Sequence, residues 1–304
     1  MEQERKQIKQ STKDGYDSRL KMLNKGKPVD NYAFLYDIDV VMQKISHLSP
    51  GTQRNYIISI VQALRDVPVM KNMLAAYTEL MNKFNAALKV NDRKSKKQVD
   101  NWATQDEIDA VYKKVFNENI DLFCSKKKSI TELDWDRITE TILLALYILQ
   151  PPRRILDYTA MVIVKSMPAV IDKAVNYYDL STDTFVFNNY KTAGTYDSQV
   201  LKAPSRLATL LECYAKIHVS SLVRTGSIPM LCLFSGESYT KSYAITRILN
   251  RTFKKELDIK ISVSMLRNIY LTSKFGPQVA LLANTATAMG TSSSTIQNNY
   301  IKID

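Results

Sequence analysis

Four side chains that could together act on a phosphodiester are spread along this 304-residue chain: Arg154, Lys191, Arg267 and Tyr300. Each stands at the edge of an expected element or within an otherwise apolar helix. Taken singly, each has a plain structural explanation: an arginine reaching out of a buried helix, a lysine in a hairpin turn, a tyrosine capping a core. Taken together they are the groups needed to attack a phosphodiester without a metal ion. Cationic groups stabilise charge developing on the phosphorane, a lysine protonates the leaving oxygen, and a phenol is the nucleophile. Tyr300 poses the sharpest question, because it follows the small polar run MGTSSSTIQNN with only four residues after it.

Composition narrows the alternatives. Only two histidines, His47 and His218, occur, which argues against most histidine-based metal sites and against a Ser-His-Asp hydrolase. Cys124, Cys213 and Cys232 are far apart and form no C-x-x-C pair, so they are expected as reduced, mostly packed thiols. No run of eighteen apolar residues appears, and the opening MEQERKQIKQ is charged where a signal peptide needs an apolar stretch. A soluble, intracellular protein without a membrane partner is expected. The net charge is +12, and residues 1–100 hold 18 Lys/Arg against 11 Asp/Glu. A basic surface of that kind neutralises phosphates and releases counterions, which makes nucleic acid the leading partner and anionic membrane the second.

The elements that must position these groups follow from hydrophobic spacing. Helical periodicity runs through 32–45, 52–64 and 70–88, with Ser49 and Pro50 opening the second and Pro68 the start of the third. These form a helical domain over residues 1–90. Residues 91–103, with Arg93, Lys94, Lys96 and Lys97, are charged and aperiodic and read as an exposed basic linker. A second domain, 104–304, opens on the capping-box pair Thr104 and Glu107. Its helix over 136–149 is apolar on most faces and runs into Pro151, Pro152, Arg153 and Arg154. Short strand-like runs at 184–190 and 196–201 flank a glycine-containing turn with Lys191 at its lip. Helical patterns resume at 204–217, 242–253, 262–275 and 277–289. The expected fold is mainly α, the second domain carrying one small antiparallel sheet.

The order of these motifs resembles the tyrosine recombinases of the phage integrase family over nearly the whole chain. RILDYTAM resembles the family's first-arginine box, with Arg154 as its arginine and Asp157 as the acidic residue three positions on. Lys191 matches the lysine of the family's β-hairpin. SMLR places Arg267 on the arginine of the H-x-x-R box, and MGTSSSTIQNNY places Tyr300 nine residues after Thr291, as the family's final box requires. The form QPPRR-x-x-DY is most similar to recombinases of large eukaryotic DNA viruses, their satellite viruses and related mobile elements. The chain departs from the pattern twice: Ser264 and Thr291 stand where the family usually has histidines. Loss of a general acid or base typically costs about 10²–10⁴ in rate.

The resemblance implies a site-specific recombinase or integrase acting on double-stranded DNA. Tyr300 forms a 3′-phosphotyrosyl bond, Arg154 and Arg267 clamp the non-bridging oxygens, Lys191 protonates the 5′-oxygen, and Ser264 and Thr291 assist by hydrogen bonding. It implies no metal and no cofactor, a core-binding first domain and a tetramer on DNA; the four residues after Tyr300 are too few for the helix that many relatives donate to a neighbour, so the chain alone is expected to be monomeric. If viral, it implies a place in the host cytoplasm, viral factory or nucleus. Two rivals remain open: a recombinase-fold accessory protein that binds DNA without cutting it, and a relaxing enzyme similar to type IB topoisomerases.

Overall fold

The computed structural model describes residues 10–89, 94–124, 130–218, 224–239 and 242–302. The chain divides into two compact units, Met1–Lys94 and Ser95–Asp304.

The first unit is helical among its described residues, with α1 (Gln10–Leu23), α2 (Ile38–Ile45), α3 (Pro50–Leu64) and α4 (Lys71–Lys89). The Asp37 side chain accepts from Val40 N and so starts α2, and Ser49 accepts from Thr52 N with Pro50 at the first helical position of α3. Helix α3 packs against α4. Between the helices, Leu35, Ile57, Ile60, Leu64 and Tyr77 are fully buried. The Tyr77 hydroxyl donates to the Leu35 carbonyl at 2.9 Å, so this phenol is buried without an unmet donor. Helix α1 has no counterpart in the sequence reading. Only Leu20 and Leu23 of its fourteen residues are buried, too few to make a periodic stripe.

The second unit contains α5 (Lys96–Asp100), α6 (Gln105–Cys124), α7 (Glu132–Ile148), α8 (Ile155–Thr159), α9 (Ala193–Tyr196), α10 (Ser205–Ile217), α11 (Ser242–Leu257) and α12 (Val263–Ala288). The expected capping box opens α6: Thr104 N donates to Glu107 at 2.7 Å and Glu107 N to Thr104 Oγ1 at 3.2 Å. Helix α7 is the buried spine, eleven of its side chains lying inside. Its Trp135 indole donates to the Cys232 carbonyl at 2.9 Å. Cys232 is buried and Cys213 half-buried, and the Cys124 side chain lies outside the described residues.

Several expectations need correction. The sheet is small, as expected, but among the described residues it has five strands and is mixed rather than antiparallel. Its strands β1 (Met161–Val164), β2 (Asn176–Asp179), β3 (Thr184–Phe187), β4 (Gln199–Lys202) and β5 (Ser227–Pro229) lie in the order β4-β3-β2-β1-β5. β1 pairs parallel with β2, and the other pairs are antiparallel. Three- and four-residue strands such as SIP and NYYD are too short for a period-two pattern to register. Phe187 pairs with Gln199, so the connection across Lys191 spans 188–198 and holds α9 instead of a tight turn. The basic linker is helical over 96–100, because Ser95 and Gln98 make a reciprocal capping box. Arg93 lies outside the described residues. The two helices expected at 262–275 and 277–289 are one, α12, running unbroken through Gly276 and Pro277.

Behind α7, the His218 ring meets Trp135 edge-on at 4.6 Å, and burial lowers its pKa to about 4. Because the unfolded chain binds the proton from about pH 6.5 downward, stability should fall as pH drops from about 6.5 to about 4, by at most about 3 kcal/mol. Urea midpoints at pH 7 and 4.5 should therefore converge in His218→Phe relative to the native chain. An unchanged pH dependence would contradict the burial of a neutral imidazole.

Candidate functional site

The site grows out of the end of α7. Pro151 and Pro152 prevent the helix from continuing, and Arg154 is extended, with φ −74° and ψ 154°. In extended backbone consecutive side chains point to opposite sides, and the two arginines accordingly part company. Arg153 turns inward. Its Nε donates to Asp157 Oδ2 at 2.9 Å, its guanidinium donates to Gln199 Oε1 at 3.0 Å, and its Cζ lies 3.7 Å from the centroid of the Phe187 ring. It thus binds α8 to β3 and β4. Asp157, expected as the acidic partner of the Arg154 box, serves Arg153 instead.

Arg154 turns the other way, into a cavity of about 210 Å³ lined by Arg154, Ile155, Leu156, Ser242, Thr246, Ser262, Val263, Ser264 and Arg267. Three of the six expected site residues, Arg154, Ser264 and Arg267, therefore meet in one place. Helix α12 begins there. The Ser262 side chain accepts from Met265 N, while Val263, Met265, Leu266 and Ile269 bury the inner face against the core. That leaves Ser264 and Arg267, one turn apart, on the face toward the cavity. The first-turn amides of a helix have no partner within it and carry partial positive charge. Arg267 also lies near the buried Tyr147 phenol, whose pKa is raised by burial first, then by Tyr158 and Asp157, with Arg267 acting to lower it.

The electrostatics are one-sided. The cavity has two guanidiniums, four hydroxyl side chains and no carboxylate in its lining. Among the described residues, neither Arg154 nor Arg267 has a hydrogen-bond or ion-pair partner. With a share of liquid volume of about 30 Å³ per water, the space holds a tetrahedral anion and part of what it is attached to. The chemistry available is recognition of a phosphate-class anion by two forked donors and a ring of hydroxyls. Ser242, Thr246 and Ser262 were not singled out in the sequence; the signal for the first two is a pair of hydroxyls at i and i+4 on one helix face.

The other three expected residues are not among those lining the cavity. Lys191 is exposed in the 188–198 connection. That connection is firmly held at its start: Asn176 Oδ1 accepts from Asn188 N and Asn189 N at 2.8 Å each, and the Tyr190 hydroxyl donates to the Asp197 carbonyl at 2.7 Å. Thr291 follows the end of α12, where Gly290, at φ +66°, donates to the Thr287 carbonyl and Thr291 N to the Ala286 carbonyl. This is a Schellman termination, and glycine fits it because the left-handed conformation is strained for other residues. Tyr300 is 64% exposed at the end of a helical turn over Ile296–Tyr300.

No known protein-family model matches the chain, and no curated protein is similar to it at a significant level. Among the described residues, no helix is long and apolar enough to cross a membrane.

The divergent roles of the paired arginines are open to measurement. Arg153→Ala breaks a largely buried ion pair with Asp157 and should cost about 3–5 kcal/mol of unfolding free energy. Arg154→Ala should change it by no more than about 0.5 kcal/mol. Urea denaturation of the two variants checks this, and the reverse ranking would contradict the assignment of Arg154 to the cavity.

Proposed function

We propose that the protein is a DNA strand transferase of the tyrosine-recombinase type, which cuts and rejoins duplex DNA through a 3′-phosphotyrosyl intermediate. The observation that carries this reading is the cavity holding Arg154 and Arg267 with no carboxylate in its lining. Two half-buried guanidiniums left without partners repel each other, and an anion between them removes that penalty. The spacing of the first-arginine, hairpin-lysine, second-arginine and tyrosine motifs supplies the rest of the reading, with Tyr300 as nucleophile and Lys191 as acid.

In the proposed reaction the scissile phosphate lies between Arg154 and Arg267, with Ser264 donating to a non-bridging oxygen. The Tyr300 oxygen attacks phosphorus, its proton passing to solvent, and the bond to the 5′-oxygen breaks. Lys191 donates a proton to that oxygen, leaving a free 5′-hydroxyl, and attack by a 5′-hydroxyl on the ester reverses the step. Thr291 assists by hydrogen bonding, and four protomers assembled on two DNA sites exchange strands. The Arg-Lys segment 93–97 runs along the DNA backbone. A second reading, a DNA-binding accessory protein that does not cut, is favoured by one observation: Lys191, Thr291 and Tyr300 lie outside the lining of the arginine cavity.

Covalent capture separates the two. Incubated with a library of nicked duplexes of randomised sequence, the native chain should yield adducts that survive denaturation, with the DNA attached to Tyr300. Tyr300→Phe should bind the same duplexes and yield none. An adduct that persists in Tyr300→Phe, or no adduct from the native chain, would sink the proposal.

Duplex affinity should also fall steeply with salt, each neutralised phosphate contributing roughly −0.9 to the log–log slope. Replacing Arg93, Lys94, Lys96 and Lys97 together by alanine should flatten the slope by about 2–4 and weaken all sequences alike. An unchanged slope with altered sequence preference would show that the segment reads bases.

A further inference from the structure

We infer that a second cavity, on the far flank of α11 from the arginine site, binds a nucleotide unit: an apolar floor takes the base, and Arg247, Arg251 and Lys260 take the phosphate. The site does not depend on the strand-transferase chemistry, and it shares no lining residue with the cavity of Arg154 and Arg267.

Helix α11 separates the two sites. Its Ile245, Leu249 and Phe253 are fully buried and hold it on the core. Ser242 and Thr246, to one side of that buried row, line the arginine cavity. Ala244, Arg247, Ile248 and Arg251, to the other side, have the i, i+3, i+4, i+7 spacing of a single helical face and line a space of about 610 Å³. Asp136 of α7 and Leu233, Tyr239 and Lys260 from the segments flanking α11 complete its wall. At about 30 Å³ per water, the space holds about twenty waters. That is more than a free phosphate needs and lies within the range of small-ligand pockets, about 300–1,000 Å³.

The charges of α11 single out this face. Lys254 pairs with Asp258, and Lys255 with Glu256 and Glu118. Among the described residues, Arg247 and Arg251 have no hydrogen-bond or ion-pair partner, and both are exposed. Two like charges one turn apart weaken a helix, and Lys260 adds a third to the same rim. The one carboxylate in the lining, Asp136, stands near the Tyr239 phenol, whose pKa is raised by burial first and then by Asp136, with Arg251 lowering it. No ion pair joins Asp136 to the three cations among the described residues, so the rim keeps its positive excess. Forked guanidiniums of this kind match a phosphate.

A site for a bare anion would need no apolar floor. Here Leu233 is 41% exposed, beside Ala244, Ile248 and the half-buried Tyr239. A heterocyclic base lays its face on such a surface and offers its edge to a few polar groups. Asn250, whose amide both donates and accepts, and Asp136, an acceptor, supply those groups. An acidic peptide would carry its carboxylates along its length and bring like charge against Asp136, whereas a nucleotide keeps its charge at one end and its neutral base at the other.

Calorimetric titration of the full chain tests this. It is made on a chain carrying Arg154→Ala and Arg267→Ala, so that the first cavity holds no cation. The probes are the four 5′-deoxymononucleotides, a short single-stranded oligonucleotide of mixed sequence, inorganic phosphate and hexaglutamate. Nucleotide binding should be seen, and adding Arg247→Ala and Arg251→Ala should weaken it by at least about tenfold, since two charge-assisted contacts are lost. Both side chains are exposed and unpaired, so these changes should leave the urea midpoint unaltered. Leu233→Glu, which places a carboxylate on the floor, should weaken binding as well. Mononucleotides that bind as tightly as the oligonucleotide identify a free nucleotide as the occupant; tighter binding of the oligonucleotide identifies an unpaired nucleotide of a strand. Three results would each overturn the inference: no binding of any nucleotide probe, binding that survives both sets of changes, or phosphate or hexaglutamate binding as tightly as the nucleotides.

Discussion

Two positive charges share one cavity, and much of the second unit is arranged to keep them there. Like charges in a partly desolvated space repel one another, and the lining holds no carboxylate to offset this. The start of α12 adds partial positive charge at the same place. Such a concentration of one sign is unfavourable in isolation and becomes favourable only when an anion enters, which is what a binding site for a phosphate requires.

The scaffold holds the arrangement through the neighbouring arginine. Arg153 is neutralised by Asp157, stacked on Phe187 and bonded to Gln199, and so anchors the backbone from which Arg154 projects. The same side chain reaches the ends of the 188–198 connection, whose first residues are also fixed by Asn176. Lys191 thus sits in a segment whose flanking residues contact Arg153, while its own side chain stays exposed. On the opposite side, the burial of Val263, Leu266 and Ile269 fixes the rotation of α12 and with it the direction of Ser264 and Arg267. Core packing and site geometry are in this way the same set of contacts.

Much of this was legible in the sequence where the signal is local. Ser49 with Pro50, Thr104 with Glu107 and the apolar run of α7 each specify an element through capping or periodicity, and each element formed. Arg154, Ser264 and Arg267 were selected by motif spacing and share a cavity. What escaped depends on contacts distant in sequence. Strands of three or four residues carry no period of their own and exist because neighbours pair with them. The pairing of Asp157 with Arg153 rather than Arg154 depends on the direction of an extended backbone after two prolines. The fusion of two expected helices into α12 overrides the usual effect of a proline, which removes one hydrogen bond and ordinarily kinks or breaks a helix. That continuity is not visible in residue spacing.

The central claim is that Arg154 and Arg267 together bind the phosphate on which the chemistry acts. A crystal structure of the full chain grown with orthovanadate, a phosphate mimic, tests it most directly. The predicted result is one vanadate in the cavity, with oxygens within hydrogen-bonding distance of both guanidiniums and of the Ser264 hydroxyl. A vanadate bound elsewhere, or a cavity in which either arginine is paired with a carboxylate, would contradict it.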